Sequence, residues 1–599
     1  MRFPGILLPA AFAAALLVSP SPGLADPAAE LEQRITSAAS AGGFEVSILA
    51  EDSAGRPVHL VRAGDASPSG PAVFVVAGLD GRHTTGTEMA LALIEDLAAS
   101  GVPENVTVYV VPRVNHAGPA AAAATPRRAR ATIAGEGDHD RDGLVAEDLA
   151  DDLDGDGIIS TVLVRDPDGT QVLDGTDQQF PREAKRTKGE RGEWLVLSEG
   201  RDDDGDEAWN EEEDGGTNLA RNFTHGYEWF AKGAGVHQVS TAETRALADF
   251  LVDHPEISAV LVYGPENNLL ASPPAGKVSD PDLAAGRWGR KPVTDPNKDD
   301  VPWITALGEE YRKILSLGDE VSPELSSGAE AGGFAAFVYY SRGRLALATP
   351  AWAPEVQLKW NAQRKADEEE KVQEAAKTED VKVEGAEEKV QEEVKEDQAD
   401  EEEEEDDIDP KVKSAEELRD WLLEANPSAW LGWKPLEHPD FPGQEALVGG
   451  FDPLAQINPP GALLEDLAAK HTQFTRSLLG QLPRVGIRDV EWTALGGGLF
   501  EAVVTVENTG GLPDRLAHGV FSTHVRATRL EIDAGDGALV GSYSPMMIDR
   551  LAPHGGAEKV RFVVSYPTGS GTLGLALVSE HAGRDARTLC TNDAKEAAR

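Results

Sequence analysis

Two stretches of alternating aspartates are the residues whose spacing most directly suggests chemistry. Asp138-x-Asp140-x-Asp142-Gly143 and Asp152-x-Asp154-x-Asp156-Gly157 place a carboxylate at every second position and close on a glycine. Alternate carboxylates in a tight loop converge on one hard cation, and the glycine permits the turn, as in the first half of a calcium loop. Val145 and Ile159, two residues past each glycine, stand where such loops place an apolar anchor. Asp202-x-Asp204-x-Asp206 is a third copy, with Glu207 in the glycine's place. Neither full loop has a glutamate at its twelfth position, where Leu149 and Leu163 stand, so closing oxygens would come from Glu147, Asp148 or a neighbouring loop. The expectation is calcium in a structural role, ordering long insertions. The alternative is a set of solvated acidic loops.

The composition sets the background for these loops. The chain has 599 residues, 40% hydrophobic and 27% charged, which implies several globular domains. Its 55 Lys+Arg against 104 Asp+Glu give a net charge of −49. Such a surface repels a phosphate backbone, which argues against nucleic-acid partners. One cysteine, Cys590, allows neither an internal disulfide nor a thiolate zinc cluster. Arg2, the apolar run Ile6 to Val18 and Leu24-Ala25 form a secretory signal pattern, with cleavage expected after Ala25 and a retained anchor as the alternative. The expected location is therefore exported, periplasmic or extracellular, with no stable membrane span after signal cleavage.

The elements that must position these residues are also legible. Residues 44–49, 57–62, 71–78, 106–111, 257–263 and 344–349 have strand patterns. Residues 85–99, 241–252 and 304–317 have helical spacing. Strands apolar on both faces, alternating with helices, predict an α/β domain over 26–360 with a mixed, mostly parallel sheet flanked by helices. The Asp-rich stretches 136–157 and 202–214 interrupt it as insertions. Lys365 to Asp409 has 23 acids and 6 lysines and no aromatic residue, so 361–412 is expected to be a disordered or fraying acidic segment. Residues 413–484 are expected to be a helical connection, and 485–590 a C-terminal antiparallel β-sandwich.

Several pieces stand in a recognisable order. Gly78-Leu79-Asp80-Gly81-Arg82-His83 lies between a strand and a helix, and Pro112-Arg113-Val114-Asn115 ends the next strand. Asn218-Leu219-Ala220-Arg221-Asn222-Phe223 follows the acid loops, Val262-Tyr263-Gly264 precedes Asn268-Leu269-Leu270, and Gly333 to Trp352 closes the domain. Over residues 28–355 this order resembles the zinc carboxypeptidase (carboxypeptidase A-like) family, in particular its large secreted bacterial members with Asp-rich inserts. That resemblance implies a zinc ion held by two histidines and a glutamate, which polarises the scissile carbonyl and acidifies a water. It also implies a glutamate as general base, an Asn-Arg pair for the terminal carboxylate and a tyrosine over the substrate.

Residue by residue, most of that set is substituted. The first ligand pair, His-x-x-Glu in the family, falls on Asp80 and His83. The third ligand position falls on Gly264, with Glu266 and His225 the nearby residues able to replace it. Pro350 stands where the general base is expected, and Glu355 is a few residues on. The Asn-Arg pair is Ala220-Arg221, and Ser326 to Gly333 contains no tyrosine. Asp80 and His83 are a zinc remnant or strand-end hydrogen-bonding groups; Arg221 is an anion-binding arginine or one half of a salt bridge. The expectation is an exported protein degenerate in catalysis, a pseudoenzyme keeping a cleft for a peptide or cell-wall fragment with a free carboxylate. The alternatives are an active metallocarboxypeptidase with a rearranged zinc site, and a structural or adhesive envelope protein.

Overall fold

The structure is a computed structural model and describes residues 27–596 apart from 65–69, 136–150, 176–178, 204, 206, 208, 211–215, 275–284, 287–288, 291–292, 294, 324–330 and 384–408. The expected signal segment, Asp138, Asp140, Asp142, Asp204, Asp206 and the centre of the acidic run lie outside the described residues.

The first half of the chain runs α1 (Pro27–Gly42), β1 (Glu45–Glu51), β2 (Pro57–Gly64), β3 (Ala72–Ala77), α2 (Thr85–Ser100) and β4 (Thr107–Val111). Four strands follow: β5 (Thr161–Arg165), β6 (Gln171–Asp174), β7 (Phe180–Glu183) and β8 (Trp194–Ser198). Then come α3 (Ala242–Asp253), β9 (Ile257–Tyr263), α4 (Val301–Ile314), β10 (Leu345–Thr349) and α5 (Pro354–Val383). The next elements are α6 (Pro410–Ala425), β11 (Trp430–Leu436), β12 (Ala446–Phe451) and α7 (Leu464–Gln481).

The central sheet has the order β1-β2-β4-β3-β9-β10. The pairs β4–β3, β3–β9 and β9–β10 are parallel, while β1–β2 and β2–β4 are antiparallel. Every residue of β3, β4 and β10 is buried, which explains why these strands have no polar alternation. Because β3, β9 and β10 run the same way, the turns after Ala77, Tyr263 and Thr349 emerge at one edge of the sheet. In open α/β sheets that edge is where ligands bind.

A second six-stranded sheet, β11-β12-β5-β8-β6-β7, joins two regions far apart in sequence. The expected helical connection 413–484 is corrected by this finding, because β11 and β12 lie within it and β12 pairs with β5. Glycines explain why the strands are hard to read. Gly449 has φ +135°, and a Cβ there would stand 1.7 Å from the Gly432 carbonyl oxygen. Strand pairing this close requires glycines, and they break the apolar pattern. The segment's second helix, α7, packs on α2 and buries Leu467, Phe474, Leu478 and Leu479 in the main core.

The acidic run begins as helix: α5 extends to Val383, past the start of the charged stretch. From Val485 the chain forms a five-stranded and a four-stranded sheet around one apolar cluster that includes Trp492, Phe500, Phe562 and Tyr566. All but one of their strand pairs are antiparallel; Val485–Gly496 also pairs parallel with Lys595–Glu596. Asp300 fastens this unit to the α/β domain. Its fully buried carboxylate accepts from Ala517 N–H (2.7 Å), His518 N–H (2.8 Å) and the Tyr339 hydroxyl (2.9 Å).

Candidate functional site

The turn after β3 is built on glycine. The Gly81 and Gly118 backbones approach so closely that a Cβ on Gly118 would stand 2.2 Å from the Gly81 carbonyl oxygen. Gly81 N–H and the Asn115 side-chain amide both donate to the Ala131 carbonyl, at 3.1 and 3.0 Å. The start of α2 is capped from a distant part of the chain. Asn458 Oδ1 accepts from the backbone N–H of Thr84 (2.9 Å) and Thr85 (3.2 Å) and from both hydroxyls (3.0 Å each). Its Nδ2 donates to the Arg82 carbonyl at 2.8 Å, so one asparagine holds the whole Asp80–Thr85 turn.

Within that turn Asp80 is buried, and its carboxylate is taken by Arg82. Oδ1 accepts from Arg82 N–H and Nε, both at 3.0 Å, and Oδ2 from Arg82 Nη2 at 2.7 Å. Burial pushes this carboxyl up, but the hydrogen bonds and charge of Arg82 outweigh it and hold it below the ordinary carboxylate range. His83 is also buried. Desolvation drops its imidazole to about 4 against the pull of Asp80, so the ring is neutral at pH 7. Neither of its ring nitrogens has a hydrogen-bond partner.

The adjoining strand ends supply no further donor. Gly264 is buried, donates its N–H to the Thr349 carbonyl at 3.1 Å, and has space where a side chain would be: an added Cβ meets nothing within 4 Å. Pro350 follows β10, and no acid occurs between Leu345 and Ala351. Glu266 accepts from the N–H groups of Ala335 (3.0 Å) and Ala336 (3.3 Å). His225 stacks on Tyr340 with ring centroids 4.0 Å apart, and burial lowers its pKa to about 4. Glu266, His225, Tyr339, Tyr340, Ala346 and Ala348 line a cavity of about 310 Å³ beside β10.

A zinc ion of the carboxypeptidase type does not fit this donor set. Asp80 is bound by guanidinium, the third position has no side chain, and Glu266 is held by backbone amides. Among the described residues, only Asp152, Asp154 and Asp156 form a group of three or more His, Cys, Asp or Glu placed to share a cation.

Arg221 closes a short turn, Leu219–Arg221, capped by Asn218. Its Nη2 donates to Glu228 Oε2 at 3.0 Å and its Nη1 to the Lys232 carbonyl at 3.2 Å. Glu228 is exposed, so the pair sits at the surface.

The carboxylate oxygens of Asp152, Asp154 and Asp156 lie within 4.8 Å of one another. Asp152 accepts from the N–H groups of Gly155 (2.8 Å), Asp156 (3.1 Å) and Gly157 (2.8 Å), which folds the loop around its first acid. Lys434, from β11, donates to Asp154 Oδ2 at 3.0 Å and Asp156 Oδ2 at 3.1 Å. Behind the loop Glu199, fully buried, accepts from the N–H groups of Leu153 (2.8 Å) and Ser160 (2.9 Å). Asp202 repeats the pattern by accepting from Gly205 N–H at 2.6 Å. Leu163, at the twelfth position of the Asp152 loop, is a buried strand residue.

Asn458, Arg82, Lys434 and Glu199 are the positioning residues that sequence reasoning did not assign. Only Arg82, two residues from Asp80, had a local signal.

Residues 484–589 match a family model described as Domain of unknown function (DUF8731). No curated protein matches the chain. Among solved structures it is similar to carboxypeptidase A from Helicoverpa armigera, at 12% identity and a TM-score of 0.31, covering 54% of this chain and 64% of that one. Bovine thrombin-activatable fibrinolysis inhibitor, in complex with tick carboxypeptidase inhibitor, gives 13% identity and 0.30, covering 54% and 84%. A metallo-carboxypeptidase from Burkholderia cenocepacia gives 21% identity and 0.13, covering 14% and 26%. The chain thus spans less than two thirds of the Helicoverpa enzyme's length. Shape agreement at this level does not identify an activity, so function is read from the residues.

Proposed function

We propose that this chain is an exported, carboxypeptidase-like protein that binds a carboxylate-bearing peptide or cell-wall fragment without hydrolysing it. One observation carries the reading: Asp80, the acid in the first ligand pair, spends both oxygens on Arg82. A buried metal ligand whose lone pairs are taken by a half-buried guanidinium has to lose that partner before it can bind zinc, and stripping a buried carboxylate of its partner is destabilising. Gly264 and Pro350 support the same reading, since neither offers an oxygen or nitrogen side-chain donor.

Binding needs less than catalysis. Arg221 is already planar, charged and fixed by the Lys232 carbonyl, and its partner Glu228 is exposed. Exposed ion pairs contribute little, about 0–1 kcal/mol, so a ligand carboxylate can replace Glu228 at small cost. A rearranged zinc site is favoured by one feature, the two unpartnered nitrogens of buried His83. It would still need a third donor and a released Asp80.

The test is calorimetric titration of the full chain with a short peptide and with the same peptide amidated at its C-terminus. The free acid should bind more tightly, and Arg221→Ala should remove that difference. Equal binding of acid and amide contradicts the proposal.

A further inference from the structure

The second sheet, the start of α6 and the Arg82 turn surround a cleft of about 790 Å³. Its volume lies in the range of pockets that hold a whole small ligand. Arg221 is not among its lining residues. The charges of the lining are already matched. Arg82 is bound to Asp80 at 2.7 Å, Arg182 to Asp174 and, at 2.7 and 2.9 Å, to Glu190, and Lys185 to Asp409 at 3.0 Å. The remaining two charges, Lys411 and Glu183, cancel in number. An ionic ligand would have to break one of these pairs, so the cleft suits an uncharged one. Paired carboxylates and guanidinium groups keep further acceptor and donor sites, which can still meet neutral hydroxyls.

The rest of the lining combines aromatic rings with primary amides. Trp430, Trp433 and Phe451 are half-buried and line the cleft. Trp433 stands at 89° to Trp430 with ring centroids 6.3 Å apart, and Phe451 at 76° and 4.8 Å. The rings therefore form the walls of a corner and not a closed stack. Phe180, itself buried beneath the Arg419 guanidinium at 5.4 Å, backs Trp430. Trp433 Nε1 donates to the Gln179 carbonyl at 2.8 Å, which fixes the indole and satisfies its one polar atom. Val196, also in the lining, is 43% exposed, so apolar surface is left open here. Gln171 and Gln456 supply the amides.

We propose that this cleft binds a neutral oligosaccharide, a short chain of β-linked pyranose rings. A β-linked glucose ring carries its hydroxyls around the equator and presents C–H groups on both faces. Those faces suit the electron-rich faces of aromatic rings. Primary amides both donate and accept, which matches the equatorial hydroxyls. An apolar peptide would use the aromatic corner but leave the amides and paired charges without partners. An acidic or basic ligand would compete with the ion pairs that hold Arg82, Arg182 and Lys185 in place.

The experiment is calorimetric titration of the full chain with cellotetraose and with an uncharged tryptophan peptide blocked at both ends. Cellotetraose should bind more tightly than the peptide, with an affinity that does not fall as salt rises. Trp433→Ala should weaken it about tenfold, and Gln456→Ala, a change that leaves the aromatic packing intact, about threefold. Arg221→Ala should leave it unchanged. Because cellotetraose has no carboxylate, this site and the carboxylate preference at Arg221 stand or fall separately. No binding at millimolar cellotetraose overturns the assignment. So does unchanged affinity in both cleft variants, or a peptide that binds as tightly as the sugar.

Discussion

At the scale of single residues, the Asp80–Arg82 pair is the decisive feature. Arg82 is about one third exposed while Asp80 is 1% exposed, so the pair spans the boundary between core and cleft. Removing the guanidinium leaves a buried carboxylate with the Asn218 amide at 3.5 Å as its remaining side-chain donor. Arg82→Ala should therefore destabilise the fold by about 2–4 kcal/mol, measured by urea denaturation, with the partial exposure of Arg82 favouring the lower figure. No change in stability would show that Asp80 is satisfied in another way. Asn458 acts at the same turn from more than 370 positions away, serving as the cap of α2. Asn458→Ala should cost about 1–2 kcal/mol in the same measurement, and a neutral result would mean that α2 is capped by its own threonines.

At the scale of elements, the loop Asp152–Gly157 and the strand β11 are joined by Lys434. Its ammonium bridges Asp154 and Asp156, two of the three acids that a divalent cation would use. Calcium has to displace it, and among the described residues three carboxylates are grouped toward a shell of six to eight oxygens. Millimolar calcium should therefore raise the melting temperature of Lys434→Ala more than that of the native chain. Equal shifts would mean that the lysine does not compete for the site. Elements also show what could be read in advance. The strands of the central sheet were legible because runs such as AVFVVA are buried on both faces. The loop acids were legible because their spacing is local. Strands β11 and β12 were not legible, because Gly432, Gly449 and Gly450 interrupt their apolar pattern. The capping role of Asn458 was not legible either, since no local signal ties an asparagine in an Asn-Pro-Pro turn to a helix start elsewhere in the sequence.

At the scale of the whole molecule, three layers of organisation act on one another. The central sheet brings the turns after β3, β9 and β10 to one edge. Strands β5–β8 and β11–β12 build a second sheet beside the Arg82 turn, and Asp300 ties the C-terminal unit to Tyr339 beside the smaller cavity. No helix among the described residues is long and apolar enough to cross a membrane. On the reading proposed here, this arrangement keeps a cleft and has given up the metal that would make it hydrolytic. The deciding experiment is the metal content of the mature protein after mild dialysis, measured together with release of C-terminal residues from a peptide. Far less than one zinc per chain and no release are expected; zinc near one per chain with steady release of C-terminal residues would contradict the reading.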